Sequence, residues 1–243
     1  MRNLLLIILV VILSSCNDEA AFDCVKTTGE ITTYDILVPE FNEIDIFNNT
    51  TVTIEQGAEQ KITLITGANL KDKIHFNVTD GILSIEDQNT CTWARDYGNV
   101  KVKITTPNLT QIRSSGGGQI KSSGTLQFSD LTLISEERTA DFTLLIDCET
   151  LRVVNNNLSN YYISGVANTL FTHFFAGDGR FEGAGLVANY VDVYHEGTND
   201  IIINPQLSLT GEIQQTGHVI FCKKPPVMTI KLLDDRGKLI EGC

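Results

Sequence analysis

Alanine is scarce in this 243-residue chain, 10 residues against 26 isoleucines, 16 valines and 26 threonines. β-Branched residues that fit a pleated sheet stand where the best helix former would be, which argues against a mostly helical fold. Positive charge is scarce as well, with 18 Lys and Arg against 30 Asp and Glu and a formal net charge of -12. No basic surface is available to neutralise a phosphate backbone, so nucleic-acid binding is not expected. No apolar run reaches the ~20 residues a helix needs to cross a hydrocarbon core. The GxSxG, HExxH, P-loop and Rossmann fingerprints are missing, and no cysteine pair has the CxxC spacing of a zinc or redox site. Disorder is excluded by a composition that is 42% hydrophobic and rich in β-branched residues.

What is present begins at the N-terminus with Arg2, an uninterrupted apolar run from Leu4 to Leu13, and then Ser14, Ser15 and Cys16. Ten apolar residues behind one positive charge read as a secretory signal, residues 1–15, rather than a membrane span. Leu13-Ser14-Ser15-Cys16 resembles a bacterial lipobox, in which the cysteine is diacylated and becomes the new N-terminus. Two or three acyl chains on Cys16 exceed the single chain that binds only marginally, so a stable anchor is expected. The alternative is an ordinary signal peptide with a chance cysteine. Asn17, Asp18 and Glu19 resemble the acidic sorting signals of some Gram-negative surface lipoproteins, and read equally well as a solvated linker. An acidic mature chain on an anionic leaflet must depend on its lipid and not on its charge.

Beyond Cys16 the cysteines are Cys24, Cys91, Cys148, Cys222 and Cys243, an odd number in a compartment that permits disulfides. The preferred pair is Cys24 with Cys91, which would staple the start of the mature domain to its first strands. Cys148 and Cys222 lie near strand ends and read as buried small hydrophobes, with the pairing of Cys148, Cys222 and Cys243 left open.

After a tether over residues 16–35, a single β-array is expected over 36–243. Ile44-Asp45-Ile46, Val52-Thr53-Ile54, Ile62-Thr63-Leu64, Ile82-Leu83-Ser84-Ile85 and Val100-Lys101-Val102 place apolar residues two apart, with turns such as Asp80-Gly81 between them. From Leu109 a longer period takes over. Apolar segments begin at Leu109, Leu131, Leu151, Leu170, Val191 and Leu207, and second landmarks follow at Ile120, Phe142, Tyr161, Phe181, Ile201, Val219 and Leu239. The second series is spaced 18 to 22 residues apart. Val166-Ala167-Asn168 repeats as Val187-Ala188-Asn189, 21 residues later. Rungs of ~20 residues with short strands predict an all-β parallel solenoid, whose N-terminal part has room for more antiparallel pairing. Lys223, Lys224, Pro225 and Pro226 interrupt the period, and the proline pair is expected to block further edge pairing.

The run Leu37-Val38-Pro39-Glu40-Phe41-Asn42-Glu43-Ile44-Asp45-Ile46 is followed by Val52-Thr53-Ile54-Glu55-Gln56-Gly57 and Asp80-Gly81-Ile82-Leu83-Ser84-Ile85. Pro107-Asn108-Leu109-Thr110-Gln111-Ile112 and Ser115-Gly116-Gly117-Gly118 complete the series. In this order the chain, over roughly residues 36 to 240, resembles the putative auto-transporter adhesin head GIN domain family. The resemblance implies a right-handed parallel β-helix-like fold on a secreted or lipid-anchored bacterial envelope protein with an adhesin role, and it brings no catalytic residues. This chain departs from the pattern where later turns lose glycine, as at Thr139-Ala140-Asp141 and Leu158-Ser159-Asn160.

Solenoids of this kind also serve polysaccharide lyases and hydrolases, which need paired carboxylates or a base beside clustered acids. Asp141, Asp178, Glu182 and Asp200 fall near corresponding turns and offer one acidic edge, although Asp also suits plain solvated turns. His75, His173, His195 and His218 do not converge: rung alignment sets His173 against Tyr194 and His195 against Phe174, on opposite sides of the strand. Aromatics give the positive hint of binding. Tyr161, Tyr162, Phe171, Phe174, Phe175, Tyr190 and Tyr194 concentrate on three neighbouring rungs, and each adjacent pair must turn one ring outward. The sequence therefore points to a non-enzymatic, lipid-anchored cell-envelope protein of the outer membrane, on its surface or periplasmic face. It would act as an adhesin or ligand-binding protein for a glycan or protein, with no metal and no cofactor. The alternatives are a polysaccharide-active enzyme using Asp178, Glu182 and Asp200, or a purely structural envelope protein.

Overall fold

Apolar alternation becomes strand wherever a neighbouring strand covers the apolar side, and the computed structural model, which describes residues 27–89, 100–136 and 139–243, contains seventeen strands. The N-terminal part holds β1 (Ile31–Ile36), β2 (Glu43–Phe47), β3 (Thr51–Gln56), β4 (Lys61–Gly67), β5 (Ile74–Thr79), β6 (Ile82–Asp87) and β7 (Lys101–Thr106). A single 3-10 turn at Lys71–Lys73 is the one helical element among the described residues. Then come β8 (Gln111–Ser114), β9 (Gln119–Leu126), β10 (Asp130–Ser135), β11 (Asp141–Asn155), β12 (Asn160–Phe174), β13 (Arg180–His195) and β14 (Ile201–Ile213). β15 (Val219–Phe221), β16 (Val227–Leu232) and β17 (Leu239–Glu241) close the chain. Cys16, Cys24 and Cys91, and with them the signal, the lipid anchor and the preferred staple, lie outside the described residues.

The strands form a β-solenoid with two faces. Sheet one runs β5-β6-β2-β8-β10, then the C-terminal halves of β11 to β14, then β16. Sheet two runs β1-β4-β7-β3-β9, then the N-terminal halves of β11 to β14, then β15 and β17. Pairing from β8 onward is parallel, each coil stacking on the one before at the ~4.8 Å strand spacing. The N-terminal end is mixed: β1 with β4, β4 with β7 and β5 with β6 are antiparallel. β1 begins inside the stretch read as tether and already belongs to the array. The first coil in sequence, β2 with β3, lies between β6–β7 and β8–β9, so chain order and stacking order differ there.

Each inward position repeats from coil to coil. On sheet two the seven landmarks read from the sequence pair in succession, Ile120 with Phe142, then Tyr161, Phe181, Ile201, Val219 and Leu239. Ile120 through Val219 are all fully buried, and each large side chain so covered contributes ~1.5–3 kcal/mol. On sheet one Ile112, Leu133, Val153, Thr172 and Val193 make a matching row. The first series also holds from Leu131 to Val191, but its last member is Leu209, not Leu207. A register shift between Ala188 and Tyr190 puts an extra residue on β14 and leaves Leu207 exposed.

Where the two sheets join, polar side chains point inward and satisfy turn backbone that water does not reach. Ser135 and Ser159 share a hydroxyl hydrogen bond of 2.5 Å, and the Ala140 N–H donates to Ser159 Oγ at 2.8 Å. The Asn155 amide donates to the Asn157 carbonyl at 3.0 Å. Two coils on, His195 does the same work: one ring nitrogen meets the Asn199 carbonyl at 2.7 Å and the other accepts from the Gly197 N–H at 3.3 Å. The glycine run has a separate cause. A Cβ on Gly116 would stand 1.6 Å from the Asn48 carbonyl oxygen and one on Gly118 1.9 Å from that of Thr50. Only glycine lets these two turns stack.

Two expectations are corrected at the C-terminus. Lys223 to Pro226 do not end the period; they form the turn into β16, which pairs in parallel with β14 and adds a further coil. Pro225 and Pro226 fall before the first ladder position at Val227, where a missing N–H costs nothing. Cys222 is not a buried hydrophobe but bridges Cys243, with Cα atoms 5.0 Å apart, while Cys148 is a free buried thiol. Burial, helped by Asp147, Asp130 and Glu149, pushes that thiol up to about 12 and keeps it protonated and unreactive.

Candidate functional site

The alternation that buries one side chain exposes the next, and on sheet one the outward row collects aromatic residues. β12 contributes Phe171 and His173, with Phe175 just past its end, and β13 contributes Tyr190, Asp192 and Tyr194. Arg152, Phe171, Asp192 and Thr210 align across β11 to β14, as do Val154, His173, Tyr194, Glu212 and Lys231 across β11 to β16. Parallel registry therefore brings residues about 20 apart in sequence side by side.

Phe175 and Tyr194 lie with ring centroids 5.1 Å apart at 37°. His173 stands edge-on to Phe171, Phe175 and Tyr194 at 5.9, 6.1 and 6.4 Å. The Arg152 guanidinium sits 5.0 Å over the Phe171 ring, a cation–π contact at the margin of the cluster. A ring nitrogen of His173 meets Asp192 at 3.1 Å, and Asp192 also accepts from the Thr210 hydroxyl at 2.9 Å. The Tyr194 hydroxyl donates to Glu196 at 3.0 Å. That bond to a carboxylate, with some burial and the nearby Glu196 and Glu212 charges, raises the Tyr194 phenol above its ordinary value and keeps it a donor. A cleft of about 500 Å³ opens between Tyr194, Glu212 and Lys231.

The aromatics named from the sequence divide. Tyr162, Phe175 and Tyr190 are 45%, 43% and 46% exposed, and Tyr194 is half-buried. Tyr161 and Phe174 are corrected: both point inward and are fully buried, Tyr161 stacked on Phe142 at 4.8 Å and meeting Phe174 edge-on at 5.7 Å. The coils above and below cover those rings, so they are core and not binding surface. Tyr162 is outward but on sheet two, aligned with Thr143 and Glu182, away from the others. Phe171 is half-buried on the outer side of sheet one, and His173, Asp192 and Glu212 join it without having been read with the aromatics. The His173–Tyr194 and Phe174–His195 alignments hold, with His173 outward and His195 fully buried. Burial lowers the His195 imidazole below its ordinary value, and neutral His195 is what its two hydrogen bonds require.

The acidic edge is occupied by its neighbours. Arg180 pairs with Glu182 and stands 3.9 Å from Asp200, the Thr198 hydroxyl donates to Asp178 at 2.7 Å, and the Asn160 amide donates to Asp141 at 3.0 Å. A guanidinium placed between the carboxylates opposes the acid–base pairing that glycoside chemistry needs. Among the described residues no group of three His, Cys, Asp or Glu could hold a metal ion. A larger cleft of about 690 Å³ lies at the N-terminal end beside Leu37 and Phe41, but its polar lining is Asp35, Glu40, Glu59, Gln60 and Lys61, and its one aromatic, Phe41, is buried in the core.

A family model described as putative auto-transporter adhesin, head GIN domain, matches residues 40–225. The crystal structure of a putative adhesin from Bacteroides fragilis NCTC 9343 superposes with a TM-score of 0.78 at 22% identity, covering 88% of this chain and 97% of that one. A putative adhesin and a putative lipid binding protein from Parabacteroides distasonis ATCC 8503 give 0.65 and 0.64, each at 15% identity over 88% of this chain and 98% of theirs. At these identities the solved structures share the fold. No curated protein matches the chain.

Proposed function

The chain belongs to the head GIN domain family of putative auto-transporter adhesins, and from that premise we propose a lipid-anchored, non-enzymatic cell-envelope protein that attaches to its ligand through the outer face of sheet one. The observation that carries this reading is the outward cluster of Phe171, His173, Phe175 and Tyr194, an aromatic patch with Phe175 exposed and the other three half-buried, on a face whose other side chains are mostly polar. A soluble protein rarely leaves such rings together without use.

The placement of the cluster suits attachment. Chain from Cys16 to Thr27 spans at most ~40 Å when extended. Thr28 abuts Gly67 on β4, near the N-terminal end of the stack. From the β5 edge the cluster lies several strands along sheet one, ~30 Å at the strand spacing. Acyl chains on Cys16 would thus keep the domain within ~40 Å of the membrane, attached by the end of the stack that is far from the aromatic cluster.

Two variants test this, the first in the producing cell and the second on purified protein. Cys16→Ser should release the protein from the membrane fraction and abolish lipid labelling; unchanged partition would remove the anchor. Phe171→Ala, Phe175→Ala and Tyr194→Ala combined should abolish adherence of protein-coated beads to host cells or matrix while circular dichroism stays unaltered. Undiminished adherence would remove the attachment face.

A further inference from the structure

The cleft beside Tyr194 has a chemistry of its own, and the inference drawn from it rests on the outer face of sheet one being the attachment surface. Its floor is backbone. Gly211 pairs with inward-facing Val193, and at φ +126° a Cβ there would stand 1.9 Å from the Val193 carbonyl oxygen, so glycine is required and the backbone of both residues lines the cleft between the outward side chains. His173, Phe175 and Tyr194 line one side, Asp192 stands beside them, and Glu212 and Lys231, 3.7 Å apart, follow Tyr194 along the same outward row.

The residues discriminate among ligands. An anionic group would enter beside Asp192 and Glu212, with Glu196 close by on Tyr194, and Lys231 is already engaged by Glu212. A quaternary ammonium needs rings far enough apart to enclose it, whereas Phe175 and Tyr194 lie against each other at 5.1 Å, and Lys231 repels it. A pyranose ring fits both features. Its C–H face carries weak positive charge toward the negative face of an aromatic ring, and its hydroxyls both donate and accept. The cleft of about 500 Å³ lies within the usual range for a small-ligand site.

We propose that this cleft binds an uncharged pyranose unit of a glycan. The sugar's C–H face lies on Tyr194 and Phe175, its hydroxyls donate to Asp192 and Glu212, and the Lys231 ammonium donates to a hydroxyl oxygen.

The test uses the full chain in detergent against immobilised neutral glycans (glucans, mannans, galactans), uronate-containing and sialylated glycans, a phosphocholine conjugate and matrix proteins. Expected is saturable binding to at least one neutral glycan, weakened at least tenfold by Tyr194→Ala and by Asp192→Asn, retained by Tyr194→Phe, and unaffected by Tyr162→Ala on sheet two. Preference for anionic glycans, for phosphocholine or for protein would overturn the assignment, as would neutral-glycan binding indifferent to Tyr194→Ala. If the triple alanine variant loses bead adherence while no neutral glycan binds the wild type, the glycan assignment fails and the attachment face stands. If both assays are blank, both fail.

Discussion

Breaking the Cys222–Cys243 bridge should loosen one coil and leave the rest of the stack intact. The bridge joins residues 21 apart and encloses β16 and β17, the last coil, which is covered on one side only. The inward row shows the difference: Leu209 and Ile213 are fully buried, but their partners Met228 and Leu232 are 36% and 52% exposed. Little apolar burial therefore holds this coil, and the cross-link matters correspondingly more. For a loop of this length chain entropy gives about 3 kcal/mol. That is roughly a hundredfold in the opening equilibrium. In Cys222→Ser with Cys243→Ser, the amides of β16 and β17 should exchange hydrogen about a hundred times faster than in the wild type. Those of β10 to β13 should change little, because stability in a solenoid is a sum of near-neighbour terms. Exchange in β16 and β17 within threefold of wild type would refute the reasoning, and so would acceleration spread evenly over every coil, which would make the array one cooperative unit.

Two further outcomes follow from the core. Thr172 occupies an inward row between Val153 and Val193, fully buried, and its hydroxyl finds no hydrogen-bond partner among the described residues. Thr172→Val should raise stability by about 1 kcal/mol, and a lowered urea midpoint would contradict this. The His195 pKa is held below its ordinary 6.5 by burial, so the unfolded chain takes up the proton first. Its contribution is full above 6.5 and is lost as pH falls toward the depressed native value. His195→Gln, which keeps an amide donor for the Asn199 carbonyl, should lose less stability than the wild type between pH 7.5 and 5.5 in urea titrations; equal losses would rule out the assignment.

The solenoid was legible because its determinant is periodic. Phe142, Tyr161, Phe181, Ile201, Val219 and Leu239 stack in the order and spacing at which the sequence places them, since a parallel coil repeats its inward positions at the length of the coil. The Val166-Ala167-Asn168 repeat became pairing of Val166 with Val187 and Ala167 with Ala188, and a 3.0 Å bond between Asn189 and Asn168. Leu207 misled because one inserted residue in β14 leaves local hydrophobicity unchanged while moving the side chain to the other face. Cys222 and Cys243 gave no signal of their partnership, because a bridge between coils depends on where the chain returns. The site was half legible. Alternation says that Tyr161 and Tyr162 face opposite ways, as do Phe174 and Phe175, but it does not say which ring is inside.

Composition and period, by themselves, determined an acidic all-β stack with coils of about 20 residues and one outward ring in each aromatic pair, and left room for the antiparallel pairing found toward its start. Tertiary structure alone decided three things: that β2 and β3 insert between β6–β7 and β8–β9, that Tyr161 and Phe174 turn inward, and that Arg180 sits between Glu182 and Asp200. The reason is the same in each case. Spacing along a strand fixes the parity of side chains, whereas the coil that covers a given face is chosen by contacts between segments far apart in sequence, and no local pattern records that choice.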